Sequence, residues 1–122
     1  MSLGIVLVSH VSEITTGITR LIKEVAKDVS ITTAGGLEDN GIGTSFDTIM
    51  SAFEENEADT ILAFYDLGSA KMNLELAMDM TDKNVILYDT ALVESSYTAA
   101  ALIQAGADIK TIEEQLSELK VK

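Results

Sequence analysis

Four short apolar runs, separated by stretches with helical periodicity, restrict what this chain can fold into more than any other feature. "GIVLVS" (4–9) and "NVILYD" (84–89) are continuous apolar runs bounded by polar or turn residues, the pattern of strands covered on both faces. "TILAFYD" (60–66) has the same character, and "VSITTA" (29–34) is weaker and reads as an edge strand. Between them, Ile14, Ile18, Leu21, Ile22 and Val25 share one helical face, as do Phe46, Ile49, Met50 and Phe53. Met72, Leu74, Leu76, Ala77 and Met80 make a third helical stretch apolar with a less distinct polar side. After the fourth strand, "ESSYTAAALIQA" (94–105) reads as a small-residue helix that Gly106 can terminate in a left-handed conformation. Asp108 can then cap a final helix carrying Ile109, Ile112, Leu116 and Leu119. Strands and helices alternating at these lengths predict a doubly wound α/β fold, a three-layer sandwich whose mainly parallel four-stranded sheet has helices on both faces.

The 122 residues suit one domain spanning 1–122, and 47% hydrophobic residues supply its core. Without cysteine there is no disulfide, thiolate nucleophile or thiolate metal site. The first residues lack a signal-peptide pattern, and no apolar run approaches the roughly 20 residues that span a bilayer, so a cytoplasmic protein is expected. The formal net charge is -12, from 20 acidic against 8 basic residues. Such a field repels phosphate backbones and anionic lipid, which argues against nucleic-acid and membrane-surface roles. It favours a partner with a basic docking face, and it serves solubility equally well.

In open parallel sheets, ligands bind beyond the carboxyl ends of the strands. Three strands end here in reactive or permissive residues: Ser9-His10, Ala34-Gly35-Gly36 and Asp66-Leu67-Gly68-Ser69. His10 is the single histidine. A lone histidine is by default structural, but this one follows a strand and precedes a helix for which Ser12 is the expected N-cap. Free backbone N–H groups and the positive helix end there favour an anion such as phosphate, and disfavour imidazolium, leaving the ring neutral and nucleophilic. Asp66, ending a neighbouring strand, can accept the Nδ1 proton and leave Nε2 exposed; it can equally be a turn or capping aspartate ahead of Gly68. The loops "AGGLEDNGIGTS" (34–45) and "DLGSA" (66–70) bring glycines and hydroxyls to the same edge. Ser9, Ser12, Gly36, Thr44, Ser45, Gly68 and Ser69 are candidates for a phosphate cradle. Thr44 or Ser45, and Ser69, can alternatively be plain N-caps of the second and third helices. Together these features point to transient phosphorylation of His10.

"VLVSHVSEITTGI", "GGLEDNGIGTS", "FYDLGSAKMNLELA" and "ALVESSYTAA" resemble, in order, the motifs of the mannose-type EIIA domains of the bacterial phosphotransferase system, over essentially the whole chain. More narrowly, they are similar to the phosphotransfer subunits of phosphotransferase-dependent dihydroxyacetone kinases. The resemblance implies the mannose-type EIIA fold with strand order 2-1-3-4, a homodimer, and phosphorylation of His10 at Nε2 by phospho-HPr, with Asp66 paired to the ring. The phosphoryl group, derived from phosphoenolpyruvate, would pass to ADP on the nucleotide-binding kinase subunit (DhaL), and the resulting ATP would phosphorylate dihydroxyacetone on the substrate-binding subunit (DhaK). No cofactor would be bound to this chain itself, and ADP and ATP would reside only on the partner. Some family members carry fused HPr-like and enzyme I-like domains; a chain ending at Lys122 is expected to stand alone and draw on separate HPr.

Two positions depart from the family pattern. Val11 stands where a second serine often follows the histidine, and Thr16-Gly17 replaces the usual acidic-glycine step. A hydroxyl contact from position 11 therefore cannot be carried over, and Ser9 and Ser12 are the substitutes. No metal site is expected: there is one histidine and no thiol, and "DNGIGT" lacks the alternating oxygen ligands of an EF-hand loop. The acidic run "EENEAD" (54–59) reads as a solvated helix end. Three other readings compete: an EIIA domain that serves a mannose-family sugar permease through an EIIB component, a receiver-like regulatory module, and a non-catalytic scaffold with a buried histidine. A receiver needs an acidic pair beside its first strand, which "VSHVS" does not offer. The alanine-rich "YTAAALIQA" helix offers either a dimer surface or a face for its own sheet.

Overall fold

The computed structural model describes residues 2–122. Four strands, β1 (Leu3–Ser9), β2 (Ile31–Gly35), β3 (Thr60–Tyr65) and β4 (Asn84–Tyr88), form one sheet. Their order is β2-β1-β3-β4, with every pairing parallel. Five helices connect and cover them: α1 (Ser12–Lys23), α2 (Phe46–Glu55), α3 (Lys71–Met80), α4 (Leu92–Gln104) and α5 (Ile109–Leu116). This is the doubly wound sandwich expected from the apolar runs, with β2 at the edge as its weaker pattern implied.

The strands' period of two divides the core into two layers. Ile5, Leu7, Leu62 and Phe64 face α1, α4 and α5, while Val6, Val8, Ile61, Ala63 and Tyr65 face α2 and α3. Full burial of a large apolar side chain contributes about 1.5–3 kcal/mol, so two such layers hold β1 and β3 rigidly in the centre. Phe64 stacks on Tyr88 with ring centroids 5.4 Å apart, fastening β4 to β3. Helix α4 packs on its own sheet, with Ala99 and Ala100 fully buried, while Val93 and Tyr97 on the same helix stay exposed. Gly106 ends it at φ +87°, and Asp108 caps α5 by accepting from the Thr111 amide at 2.9 Å.

The apolar face expected on α1 is only partly buried, and α3, expected to be apolar without a distinct polar side, is likewise divided. On α1, Ile18 and Ile22 are buried, but Ile14 and Leu21 are exposed, and Val25 lies beyond the helix end. On α3, Leu74 and Ala77 fill the core, while Met72, Leu76 and Met80 stand exposed at helical spacing. Both helices lie on an open sheet, which covers a narrower stripe than the apolar residues occupy. Among the described residues, no helix is long and apolar enough to cross a membrane.

Candidate functional site at the carboxyl edge of the sheet

Strand register builds the site. Val8 of β1 lies opposite both Ala34 and Tyr65, so β1, β2 and β3 run out at one level. The Asp66 amide donates to the Val8 carbonyl at 3.2 Å, which sets Asp66 directly beside Ser9 and His10. The carboxylate then accepts four hydrogen bonds. Oδ2 takes the Ser9 hydroxyl at 2.8 Å and the His10 amide at 2.9 Å. Oδ1 takes the Leu67 amide at 2.7 Å and lies 2.9 Å from His10 Nδ1.

An ionised carboxylate only accepts, so Nδ1 is the protonated ring nitrogen and Nε2 carries the lone pair. Ser69 Oγ lies 2.8 Å from Nε2 and is therefore the donor. Burial pushes the Asp66 carboxyl up, and hydrogen bonds from the His10 amide and ring, the Ser9 hydroxyl and the Leu67 amide outweigh it, so its pKa falls below the ordinary value. The His10 side chain is 18% exposed and that of Asp66 13%, so the ring is held from behind and open at one edge.

The surrounding backbone is drawn in around the histidine. The Gly36 amide donates to the Ser9 carbonyl at 2.9 Å, and the Gly43 amide to the His10 carbonyl at 2.8 Å. Gly36 adopts φ +73°, and a Cβ there would meet the Gly41 carbonyl at 2.8 Å, so only glycine fits this turn without strain. Asp39 and Asn40 both have φ 64°, a conformation these two residue types tolerate better than most. The Ser12 hydroxyl donates to Asn40 Oδ1 at 2.6 Å, tying that loop to the start of α1.

The N-cap of α1 is Val11, in extended conformation with no side-chain cap, and not Ser12 as expected. The reason lies in the neighbouring contacts: the Val11 amide already has an acceptor in Ser9 Oγ at 3.1 Å, and the Ser12 hydroxyl is drawn to Asn40 from the distant 36–43 loop. The amides of Ser12 and Glu13 consequently begin the helix without intrahelical acceptors, at its positive end beside His10.

Ser9, His10, Asp66 and Ser69 thus form one hydrogen-bonded chain, with Gly36 and Ser12 in the adjoining wall. The Ser9 hydroxyl, fully buried, holds Asp66. Gly68 and Ser69 lie in a short 3-10 turn (Gly68–Ala70), and the residue preceding α3 is Ala70, so Ser69 is not its cap. Ser45 does cap α2, accepting from the Thr48 amide at 3.1 Å. Thr44 Oγ1 accepts from Asn73 Nδ2 at 3.1 Å. Asn40 and Asn73, which secure the loop on its two sides, lie within the quoted motifs but are not among the site residues singled out from the sequence. Among the described residues no cluster of three or more His, Asp or Glu side chains is placed to hold a metal ion.

Residues 4–113 match the family EIIA-man, described as the PTS system fructose IIA component. The chain is 53% identical over 122 residues to the PTS-dependent dihydroxyacetone kinase, phosphotransferase subunit DhaM, of Lactococcus lactis subsp. lactis, covering 100% of this chain and 99% of that protein. It is 46% identical over 119 residues to the PEP-dependent dihydroxyacetone kinase 1, phosphoryl donor subunit DhaM, of Listeria innocua, covering 98% and 96%. A crystal structure of a protein of unknown function superposes with a TM-score of 0.86 at 30% identity, across 100% of this chain and 98% of that one.

Proposed function

The chain belongs to the EIIA-man family of PTS components, and from that premise we propose that it is a phosphocarrier, the phosphoryl donor subunit of a dihydroxyacetone kinase. His10 accepts the phosphoryl group from phospho-HPr and delivers it to ADP on the nucleotide-binding subunit (DhaL). The regenerated ATP serves dihydroxyacetone on the substrate-binding subunit (DhaK). Nucleotide stays on the partner, and this chain carries only the phosphoryl group. The observation that carries the reading is the bracketed imidazole, with Nδ1 on Asp66 and Nε2 at the open edge. The functions of the Lactococcus and Listeria relatives, subunits of dihydroxyacetone kinases, support the choice of acceptor.

The chemistry follows from that geometry. The Nε2 lone pair attacks phosphorus as the donor's N–P bond breaks, and the Nδ1 proton stays where it is. The ring gains positive charge, which the Asp66 carboxylate stabilises across the 2.9 Å hydrogen bond. Phosphoryl transfer through a loose transition state asks mainly for in-line placement and charge stabilisation. The Ser69 hydroxyl leaves the occupied lone pair and turns to a phosphoryl oxygen, and the first-turn amides of α1 face the same charge. Discharge to ADP reverses these steps.

The functional unit is a homodimer, a reading supported by the uncovered apolar row Met72, Leu76 and Met80 on α3; light scattering giving a monomer at micromolar concentration would remove it.

The deciding experiment supplies phosphoenolpyruvate, enzyme I and HPr. One phosphate per chain, labile in acid and stable in base, is expected. Purified kinase subunits with ADP then discharge it with formation of ATP. Discharge by a membrane EIIB component and not by the kinase subunits would transfer the chain to a sugar system, and an acid-stable, base-labile phosphate would move it to aspartate chemistry.

A further inference from the structure

Beyond α5 the chain turns back along the carboxyl edge of the sheet. Lys120 forms an antiparallel bridge with Thr90. The Ala91 amide donates to the Leu119 carbonyl at 2.9 Å, and the Val121 amide to the Asp89 carbonyl at 3.2 Å. This return lays Lys122 across the ends of β3 and β4. Its Nζ donates to the carbonyls of Tyr65 at 2.7 Å, Thr90 at 2.8 Å and Asp66 at 3.3 Å. An ammonium has three protons, and each has a main-chain acceptor here. The same nitrogen lies 4.4 Å from the centroid of the Tyr65 ring.

Carbonyls at the end of a parallel sheet have no next strand residue to satisfy them, and each needs a donor. At β3 the donor is a tethered cation, and one of the carbonyls belongs to the residue whose carboxylate holds His10. The other side of Tyr65 is also fixed: its hydroxyl donates to Asp89 at 2.5 Å, and Asp89 pairs with Lys71 at 3.0 Å. Burial lowers the Lys122 pKa, and the Asp66 and Asp89 carboxylates push it back up without restoring it, which marks a partly desolvated charge held in place.

We propose that Lys122 is a positioning residue for phosphoryl transfer: its ammonium, clasped by the carbonyls of Tyr65, Asp66 and Thr90, fixes the strand end from which Asp66 orients His10. The role rests on the phosphocarrier reading given above. Without the clasp the Asp66 carbonyl loses its tether, and the carboxylate, still held through the Val8 carbonyl and the Leu67 amide, meets the Ser9 hydroxyl, the His10 amide and the ring less firmly. Small misplacements of a reacting group are enough to slow transfer, by as much as about a hundredfold.

The test compares Lys122→Met and Lys122→Arg in the full chain, with Lys110→Met, a substitution of an exposed α5 lysine, as a charge-matched control. Single-turnover phosphorylation by phospho-HPr is expected to slow about tenfold in Lys122→Met, with the half-saturating HPr concentration unchanged. Arginine, which also donates to carbonyls, should restore most of the rate, and Lys110→Met should leave it intact. In parallel, ring 15N shifts of unphosphorylated His10 should report the Nδ1–H form in the wild type and a tautomer mixture in Lys122→Met. A Lys122→Met protein with wild-type rate and a single tautomer overturns the proposal, as does a loss that Lys110→Met reproduces. A wild-type chain that takes no phosphate sinks the phosphocarrier reading instead, and the tautomer pattern then decides for or against Lys122 alone.

Discussion

The two nitrogens of His10 face opposite kinds of surroundings. Behind Nδ1, Asp66 accepts four hydrogen bonds and the fully buried Ser9 hydroxyl supports it. In front of Nε2 there is one exposed serine, a loop with two consecutive left-handed residues, and the start of a helix without a side-chain cap. The rear is committed before any partner arrives. The front is left open, as the proposed phosphocarrier, loaded by one protein and unloaded by another, requires. Orientation of the imidazole is therefore preorganised, and in the proposed reaction contacts to the moving phosphoryl group would form only when a partner is docked.

Breaking the centre of this arrangement has the largest effect. His10→Gln should take up no phosphate at all from phospho-HPr, checked by intact mass after acid-free work-up. Breaking the rear comes next. Asp66→Asn preserves shape but removes the charge that steadies the ring, and the transfer rate should fall by about a hundredfold or more. The same substitution has a pH signature. The Asp66 pKa is depressed in the folded state, so its stabilisation is present above the ordinary unfolded value of about 3.9 and is lost as pH falls through the lower folded value. In urea titrations the wild type should therefore exceed Asp66→Asn most clearly above about pH 5, and the gap should close on acidification. A gap independent of pH would mean that the carboxylate's charge is not what the rear supplies.

Breaking the turn between rear and front has a structural effect. Gly36→Ala places a side chain at φ +73° and against the Gly41 carbonyl. The left-handed conformation alone costs about 1–2 kcal/mol, readable as a lower urea midpoint, and the displaced loop should slow transfer as well.

The same division explains what could be read from the sequence. Strand ends are set by apolar runs and register, so the meeting of His10 with Asp66 follows once the runs at 4–9 and 60–66 are placed side by side. Gly106 and Asp108 also act within a few residues of themselves, and they end α4 and begin α5 as their types imply. The front depends on contacts between distant segments. Ser12 has the composition of a cap, yet Asn40, 28 positions away, takes its hydroxyl. Ser69 likewise fits a cap by type, but a 3-10 turn precedes α3 and carries its hydroxyl to Nε2. Ile14 and Leu21 fit an apolar face by spacing, but on α1 it is Thr15, Ile18 and Ile22 that are buried. Lys122 belongs to no pattern, because its three acceptors are carbonyls that any sequence would present.

The finest test sets one serine against the other. Ser9→Ala removes a buried hydroxyl that both donates to Asp66 and accepts from the Val11 amide. It leaves partners unsatisfied, so it should destabilise the fold by about 1–3 kcal/mol and loosen the rear. Ser69→Ala removes an exposed hydroxyl that is bonded to Nε2. Its stability should stay within about 0.5 kcal/mol of the wild type. Its transfer rate should fall only about two- to tenfold, the worth of one neutral hydrogen bond. Thermal melts and single-turnover rates on the pair measure both effects. If Ser69→Ala proved the more destabilised, the front would be as fixed as the rear, and the division between a rigid and an open side of the imidazole would not hold.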